Sequence, residues 1–333
     1  MTAVAESRAP VHVGVDIALV VPELRRWIDR LGPDLSPICA HQLGADCGKL
    51  VRPTLVFACA QAVGGSTGDA LPGAVAVELI HNASLIHDDV MDGDEFRRHR
   101  PTVWKQYGVA QAVLAGDALI GLAFEALATD AARENAGAAA ADLARAVRAL
   151  AIGQHADLRL EGSTTATTAE CLALMAGKTG ALLGVACRLG ARLGGAPSGW
   201  LDGFTDYGGN LGVAFQLVDD LLGVWGDPAV TGKPTGSDLR ARKNTAPVAA
   251  ALARSGAAPA RLRALYQSQA PMTDHDVAEA TALVERAGGR AWTVDQCHRH
   301  VARAWDALDR LPLDADARDA LRDLADRVVA RMP

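Results

Sequence analysis

Aromatic side chains are scarce: Phe, Tyr and Trp together make up 4% of 333 residues, although half of the chain is hydrophobic. A core with so few rings has to be filled by Ala, Leu and Val. Cysteine is sparse too. The six (Cys39, Cys47, Cys59, Cys171, Cys187 and Cys297) are scattered, with no C-x-x-C spacing. That excludes a disulfide frame or a clustered zinc site and suits reduced, buried thiols in a cytoplasmic protein. No block of Lys and Arg occurs, and 33 basic against 39 acidic residues leave a formal charge of −6, so no nucleic-acid partner is expected. The N-terminus lacks a charged-then-apolar leader. Its most apolar stretch, residues 11–21, carries Asp16 and is too short for a bilayer, so no transmembrane segment is expected.

Helical periodicity is present nearly everywhere. Val75, Leu79, Ile80, Ala83, Ile86 and Val90 fall on one broad stripe between Pro72 and Met91. Val113, Leu119, Leu122, Ala123, Ala126 and Leu127 repeat the pattern, as do Leu321, Leu324 and Val328. No alternating run supports a sheet. Breakers stand where helices should end: Gly64-Gly65, Gly194-Gly195 with Pro197, Gly232 with Pro234, and Gly288-Gly289. Residues 226–244 are polar and rich in Gly and Pro, and read as a long surface loop. Residues 1–15 are expected to form a disordered tail, and residues 16–333 a single all-α domain.

One apolar helical run ends in His87-Asp88-Asp89-Val90-Met91-Asp92. Asp88 and Asp92 are four apart, so their carboxylates share a face and destabilise a bare helix. Such a pair on an apolar helix calls for an external counter-charge. Mg²⁺, held by one or two carboxylates plus a substrate phosphate, is the usual one. An EF-hand loop fails, because with Gly93 at its sixth place the third would be Val90 and the twelfth His99. A second acidic pair, Asp219-Asp220, follows the apolar run from Leu211 to Val218. Two such helix ends facing each other across a bundle could hold several metal ions. Basic residues alternate with them along the chain: Lys49 and Arg52, then Arg97, Arg98 and Arg100, then Lys178, then Lys233 and Lys243. That order suits a pocket for multiply charged anions.

These residues resemble a known family. Asp88-Asp89-Val90-Met91-Asp92, with Arg97-Arg98 and Pro101-Thr102 after it, resembles the first aspartate-rich motif of trans-isoprenyl diphosphate (polyprenyl) synthases. Phe215-Gln216 before Asp219-Asp220, then Gly226-Asp227-Pro228, Gly232-Lys233-Pro234 and Ser237-Asp238, resembles the second. Gly48-Lys49 with Arg52-Pro53, Gly153-Gln154 with Asp157-Leu158, and Lys178-Thr179 supply the remaining landmarks, all within residues 40–250.

The resemblance implies an antiparallel helical bundle around a central cavity, the isoprenoid synthase type, assembled as a homodimer. It implies that Asp88, Asp92 and Asp219, supported by Asp89, Asp220 and Asp238, bind about three Mg²⁺ that grip an allylic diphosphate. Arg97, Lys178, Lys233 and Lys243 would contact that same diphosphate. Lys49, Arg52, His81 and Arg98 would hold isopentenyl diphosphate, and Thr179 and Gln216 would turn oxygens toward the carbocation. The reaction implied is metal-assisted ionisation of the allylic substrate, then attack by the double bond of isopentenyl diphosphate in a water-free pocket.

Two positions depart from the family pattern. Gly223 stands where a third aspartate is usual, and Leu50 where an arginine usually follows the lysine. Both keep open a class I terpene cyclase on the same fold; retention of Lys49, Arg52, His81 and Arg98 argues for chain extension instead. A catalytically silent regulatory subunit is the third reading, and it sits badly with three intact aspartates in the first cluster. Ala83 and Ser84, one turn before Asp88, are small where short-product relatives often carry aromatics. The expected product is therefore geranylgeranyl (C20) diphosphate.

Overall fold

The computed structural model describes residues 17–44, 48–128, 135–160, 163–228 and 234–333, and these are almost wholly helical. Residues 1–15, Cys47 and Lys233 lie outside the described residues. The chain runs through α1 (Val20–Asp29), α2 (Gly32–Leu43) and α3 (Val51–Gln61) into the long α4 (Thr67–Asp92). A capping box starts α4: the Ser66 hydroxyl accepts from the Asp69 amide at 3.2 Å, and the Asp69 carboxylate accepts from the Ser66 amide at 3.1 Å. Gly93, at φ 68°, ends it in the left-handed conformation that closes helix C-termini. Between these signals Ala74, Val75, Ala76, Val77, Leu79 and Ile80 are all buried. A helix apolar on every side belongs at the centre of a bundle.

After α4 come α5 (Val103–Tyr107), α6 (Val109–Leu127) and α7 (Ala136–Leu160). Next, α8 (Thr168–Met175) passes through one π-helical turn, Ala176–Gly180, into α9 (Ala181–Leu193). The second long central helix is α10 (Leu201–Trp225). A short α11 (Ser237–Arg240) and five more helices complete the order: α12 (Ala246–Leu252), α13 (Ala257–Gln267), α14 (Asp274–Arg286), α15 (Gly289–Asp309) and α16 (Ala315–Val329).

Helix α4 packs on α3, α6 and α9, and α10 packs on α9 and α15. One large apolar cluster runs through these contacts, built mostly from Ala, Leu and Val, with Phe57, Phe204 and Tyr207 as its fully buried rings. Small residues let backbones meet. A Cβ on Gly190 of α9 would stand 2.1 Å from the Val56 carbonyl oxygen of α3. A smaller cluster, including Leu239, Val248, Leu262 and Val277, anchors α11 to α14. The five described cysteines are buried and free.

Three features differ from the expectations. A two-residue antiparallel ladder follows α4, with β1 (Phe96–Arg97) against β2 (Arg100–Pro101) and Arg97 opposite Arg100. Its turn residues Arg98 and His99 have φ of 50° and 61°, the left-handed pair a tight hairpin demands. Non-glycine residues there carry a strain of about 1–2 kcal/mol each. Second, residues 226–244 are not all loop, because α11 lies inside them. Third, two stretches, Val109–Leu127 and Thr168–Leu193, are long and apolar enough to cross a membrane by length and composition. In this fold they pack in the bundle, although α6 leaves Val109 and Leu114 more than half exposed.

Candidate active site

The tips of α4 and α10 meet at one cavity of about 670 Å³, lined by Asp88 from the first and Gln216 and Asp219 from the second. Lys49, Arg52, His81, Arg97 and Arg98 line the same cavity. Its apolar part comes from Leu85, Leu150, Leu183 and Phe215, with the small Ser84 beside them. Of the two small residues before the first aspartates, Ser84 faces the cavity, while Ala83 is buried in the main core. A second cavity, of about 340 Å³, adjoins it through shared Lys178, Thr179 and Gln216. Asp92, Asp157, Asp220, Asp238 and Lys243 line that one. Every described residue expected in the site except Asp89 therefore lines one or both of two connected hollows.

Local backbone features set these side chains. Lys49 lies between two left-handed residues, Gly48 (φ 79°) and Leu50 (φ 47°), just before α3. The strained leucine stands at the position where an arginine was expected and lines the cavity. The hairpin delivers Arg97 from its first strand and Arg98 from its turn. Lys178 and Thr179 lie in the π turn, which α7 approaches so closely that a Cβ on Gly153 would be 2.5 Å from the Lys178 amide nitrogen. Such single π turns recur at functional sites. The Thr179 hydroxyl donates to Gln216 Oε1 at 3.0 Å, and Gln216 Nε2 donates to Asp220 Oδ1 at 3.1 Å. Asp220 Oδ2 accepts from the Ala246 amide at 2.8 Å. Asp89 is fully buried, and its Oδ1 accepts from Arg97 Nε at 2.8 Å.

The electrostatics describe a site short of positive charge on its acidic side. Burial pushes Asp88 up to about 6, with Lys178 opposing and Asp92 adding to the rise. Asp220 is pushed up to about 7, again chiefly by burial. Asp92 and Asp219 shift in the same direction for the same cause. On the basic side, burial lowers His81 well below its usual value, helped by Arg52, Arg98 and Arg97, so its imidazole is neutral. Burial would lower Lys178, but Asp88 and Asp157 outweigh it and keep the ammonium charged.

Crowded, buried hard-oxygen donors of this kind fit a divalent cation. Among the described residues no three acidic, His or Cys side chains converge on a single point. The arrangement thus fits a cation held by one or two carboxylates and completed by a substrate phosphate.

Sequence reasoning gave no role to three charged residues at the site, of which only Asp157 stood among the family landmarks. Asp157 accepts from Lys178 Nζ at 2.7 Å, while Asp88 is 3.7 Å from the same nitrogen. Glu78 lines the larger cavity among the basic residues. Arg331, near the C-terminus, lies 3.2 Å from Asp219 and stacks 4.8 Å above the Phe215 ring. Glu78 had a signal, a lone acid inside a buried apolar run; Arg331, 112 residues from Asp219, had none.

Residues 35–284 match the model of the polyprenyl synthetase family. The chain is 43% identical over 332 residues to a (2E,6E)-farnesyl diphosphate synthase of Mycobacterium tuberculosis, covering 96% of this chain and 92% of that one. It is 46% identical over 286 residues to a geranylgeranyl diphosphate synthase of the same organism, covering 80% and 79%. A polyprenyl synthetase crystal structure from Streptomyces coelicolor A3(2) superposes with a TM-score of 0.90 at 46% identity, covering 93% of this chain and 96% of that one. A geranylgeranyl pyrophosphate synthase from Corynebacterium glutamicum, crystallised with isoprenyl diphosphate and magnesium, superposes at 0.79 with 28% identity, covering 94% and 98%. With two acidic helix tips and a basic wall around one hollow, the chain belongs to the polyprenyl synthetase family and is a divalent-metal-using trans-prenyl diphosphate synthase.

Proposed function

We propose that the chain condenses isopentenyl diphosphate with an allylic diphosphate to give geranylgeranyl diphosphate, with about three Mg²⁺ per site. One observation carries the reading: a single cavity is lined both by carboxylates from the two helix tips, Asp88 and Asp219, and by Lys49, Arg52, His81 and Arg98. That lining offers metal-binding carboxylates for one diphosphate and direct basic contacts for a second. A cyclase, which uses one, has no need of the basic wall. Asp88, Asp92 and Asp219 would hold the divalent metal, which when bound would supply Lewis-acid neutralisation of the allylic diphosphate.

The protein's own groups do the rest. Asp88, Asp92 and Asp219 supply donor oxygens, with Asp238 beside them. Asp89 acts by holding Arg97, and Asp220 by holding Gln216. Arg97, Lys178 and Lys243 neutralise the departing diphosphate, and Lys233 joins them. His81, being neutral, donates one N–H to the diphosphate of isopentenyl diphosphate rather than a full charge. The Thr179 hydroxyl oxygen and the Gln216 amide oxygen face the carbon from which diphosphate departs, where partial negative charge stabilises a developing cation. Leu85, Leu150, Leu183 and Phe215 keep water from that carbon.

Ser84 supports the longer product, because its small side chain leaves the cavity open beneath the aspartates. The exposed apolar strip on α6, with Val109, Val113 and Leu114 each more than 40% exposed, supports a homodimer. The scattered buried thiols support a cytoplasmic location.

Purified protein, Mg²⁺ and isopentenyl diphosphate are incubated with C5, C10 or C15 primer, and the product is read by mass. The expected result is a C20 diphosphate from each primer. Growth that stops at C15 overturns the assigned length.

A further inference from the structure

The hairpin that carries Arg97 and Arg98 has little in itself to keep its shape. Its ladder is two residues long, β1 (Phe96–Arg97) against β2 (Arg100–Pro101), and a lone two-stranded ribbon is at best marginally stable in water. Its turn residues Arg98 and His99 take left-handed φ angles of 50° and 61° without being glycine, which strains it further. Local bonds close its base. The Thr102 hydroxyl donates to the Asp94 carbonyl oxygen at 2.8 Å, and the Trp104 indole N–H donates to the same oxygen at 2.8 Å. These bonds fix where the two strands begin, and the strands themselves are held from outside the hairpin.

Two helices supply that hold. On β1, Arg97 Nε donates to Asp89 Oδ1 of α4 at 2.8 Å. On β2, the side chain of His41, near the end of α2, meets both residues of the strand. Its Nε2 is 2.8 Å from the Pro101 carbonyl oxygen, and its Nδ1 is 3.3 Å from an Arg100 guanidinium nitrogen. These partners decide where the proton sits. A carbonyl can only accept and a guanidinium can only donate, so Nε2 carries the hydrogen and Nδ1 presents its lone pair. The Tyr107 ring stands edge-on to the imidazole, with centroids 5.4 Å apart and planes at 82°, an arrangement that favours one ring orientation. Arg100 lies opposite Arg97 in the ladder, and Arg98 is in the turn between them. One imidazole thus grips the strand across from one diphosphate-binding arginine and beside the turn that carries the other. His41 is also only seven residues before Gly48, against which Arg98 packs so closely that a Cβ there would stand 2.6 Å from its guanidinium.

We propose that His41 is a positioning residue: by tying β2 to α2 it sets the hairpin, and with it Arg98, against the Gly48-Lys49 segment that also offers Lys49 to isopentenyl diphosphate. The inference rests on the reading of Arg98 as a contact to that substrate. Asp89 secures Arg97 separately, so loss of the His41 tie falls first on Arg98.

His41→Phe keeps a flat ring beside Tyr107 and removes both polar contacts, whereas His41→Gln keeps one donor and one acceptor. With each substrate varied against saturating partner, KM for isopentenyl diphosphate rises about fivefold or more in His41→Phe, while kcat and KM for the primer change less than about twofold. Amide hydrogen exchange over residues 94–102 speeds up about fivefold or more in the same variant, with the thermal midpoint nearly unchanged. His41→Gln returns both readouts to within about twofold of wild type. In an Arg98→Ala background His41→Phe adds less than about twofold, because the group it positions is gone. His41→Ala serves in place of His41→Phe if the latter does not fold. An unchanged KM for isopentenyl diphosphate in His41→Phe overturns the inference. So does a His41→Gln protein as impaired as His41→Phe, or an equal rise in both KM values with a lowered thermal midpoint. Arg98→Ala with a wild-type KM for isopentenyl diphosphate defeats the site reading itself. A raised KM in Arg98→Ala beside an unaltered His41→Phe defeats only the role of His41.

Discussion

Gly223 departs from the aspartate usual in the family, and the structure supplies a physical reason to test. A Cβ added there would stand 1.9 Å from Asp238 Oδ2 and 2.5 Å from its Cγ. The space is already filled by a carboxylate brought in on α11. Gly223→Ala sets two stability terms against each other. Replacing a helical glycine by alanine gains up to about 1 kcal/mol, and Gly223 lies in the last turn of α10. Moving Asp238 from 1.9 Å to an ordinary 3.4 Å contact requires a displacement of about 1.5 Å, and an off-rotamer side chain costs about 0.5–1.5 kcal/mol. The fold therefore changes little in stability, while the carboxylate leaves its place. If Asp238 supports a bound cation, displacing it weakens metal affinity on the order of 10–100-fold, the range found for supporting shells. The assay is a Mg²⁺ titration of diphosphate release, paired with calorimetric Mg²⁺ binding in the presence of inorganic pyrophosphate and with a thermal melt. The half-saturating Mg²⁺ concentration rises about tenfold with a nearly unchanged melting temperature. Asp238→Ala gives a similar shift, and the double variant is no worse than either single one. Gly223→Asp gives no gain, since a second carboxylate about 4 Å from Asp238 is repelled by about 4 kcal/mol at an effective dielectric of 20. A Gly223→Ala protein that is more stable and has unaltered Mg²⁺ dependence would refute the reasoning.

Two further outcomes concern the scaffold. Gly190→Ala drives a Cβ to 2.1 Å from the Val56 carbonyl oxygen, where both neighbours are helix backbone and neither can yield. Urea unfolding should show a loss of about 3 kcal/mol, the upper part of the overpacking range, and a loss below 1 kcal/mol would mean that α3 and α9 are not in backbone contact. His300, buried on α15 with Nδ1 2.9 Å from Asn210 Oδ1, is pushed down to about 4 by burial and by Arg303. The unfolded chain takes up this proton near 6.5 and the folded chain only near 4. Between those values the unfolded state binds more protons, so stability is lost as the pH is lowered, by up to about 3 kcal/mol. Nothing is lost above 6.5 from this group. His300→Gln removes that slope, and urea midpoints that drop equally from pH 7 to pH 4.5 in both proteins would contradict it.

The helices and the acidic tips were legible because their signals are local. The 3.6-residue stripe of α4, its stop at Gly93 and the four-residue spacing of Asp88 and Asp92 all lie within a few turns of one another. The hairpin was not legible: two residues per strand cannot display alternation, and Arg98-His99 takes left-handed angles without the glycine or asparagine that usually marks them. The π turn at Lys178 was hidden because it is flanked by residues that suit an ordinary helix. Pairings made by tertiary packing left no trace in spacing, among them Lys178 with Asp157, Arg331 with Asp219, and Asp238 with the hollow at Gly223. The stripe read on α6 departs at one end, because Val113 falls on it with Leu119, Leu122, Ala123, Ala126 and Leu127, yet it is 42% exposed while the others are buried.

In the proposed reaction the two acidic helix tips act together on a prenyl diphosphate. Diphosphate release from a mixture of isopentenyl diphosphate, allylic primer and Mg²⁺ tests it in wild type and in Asp88→Ala. The variant should keep its helical content and melting temperature and lose turnover by a factor on the order of 10²–10³ or more. A well-folded Asp88→Ala protein releasing diphosphate at the wild-type rate would contradict it.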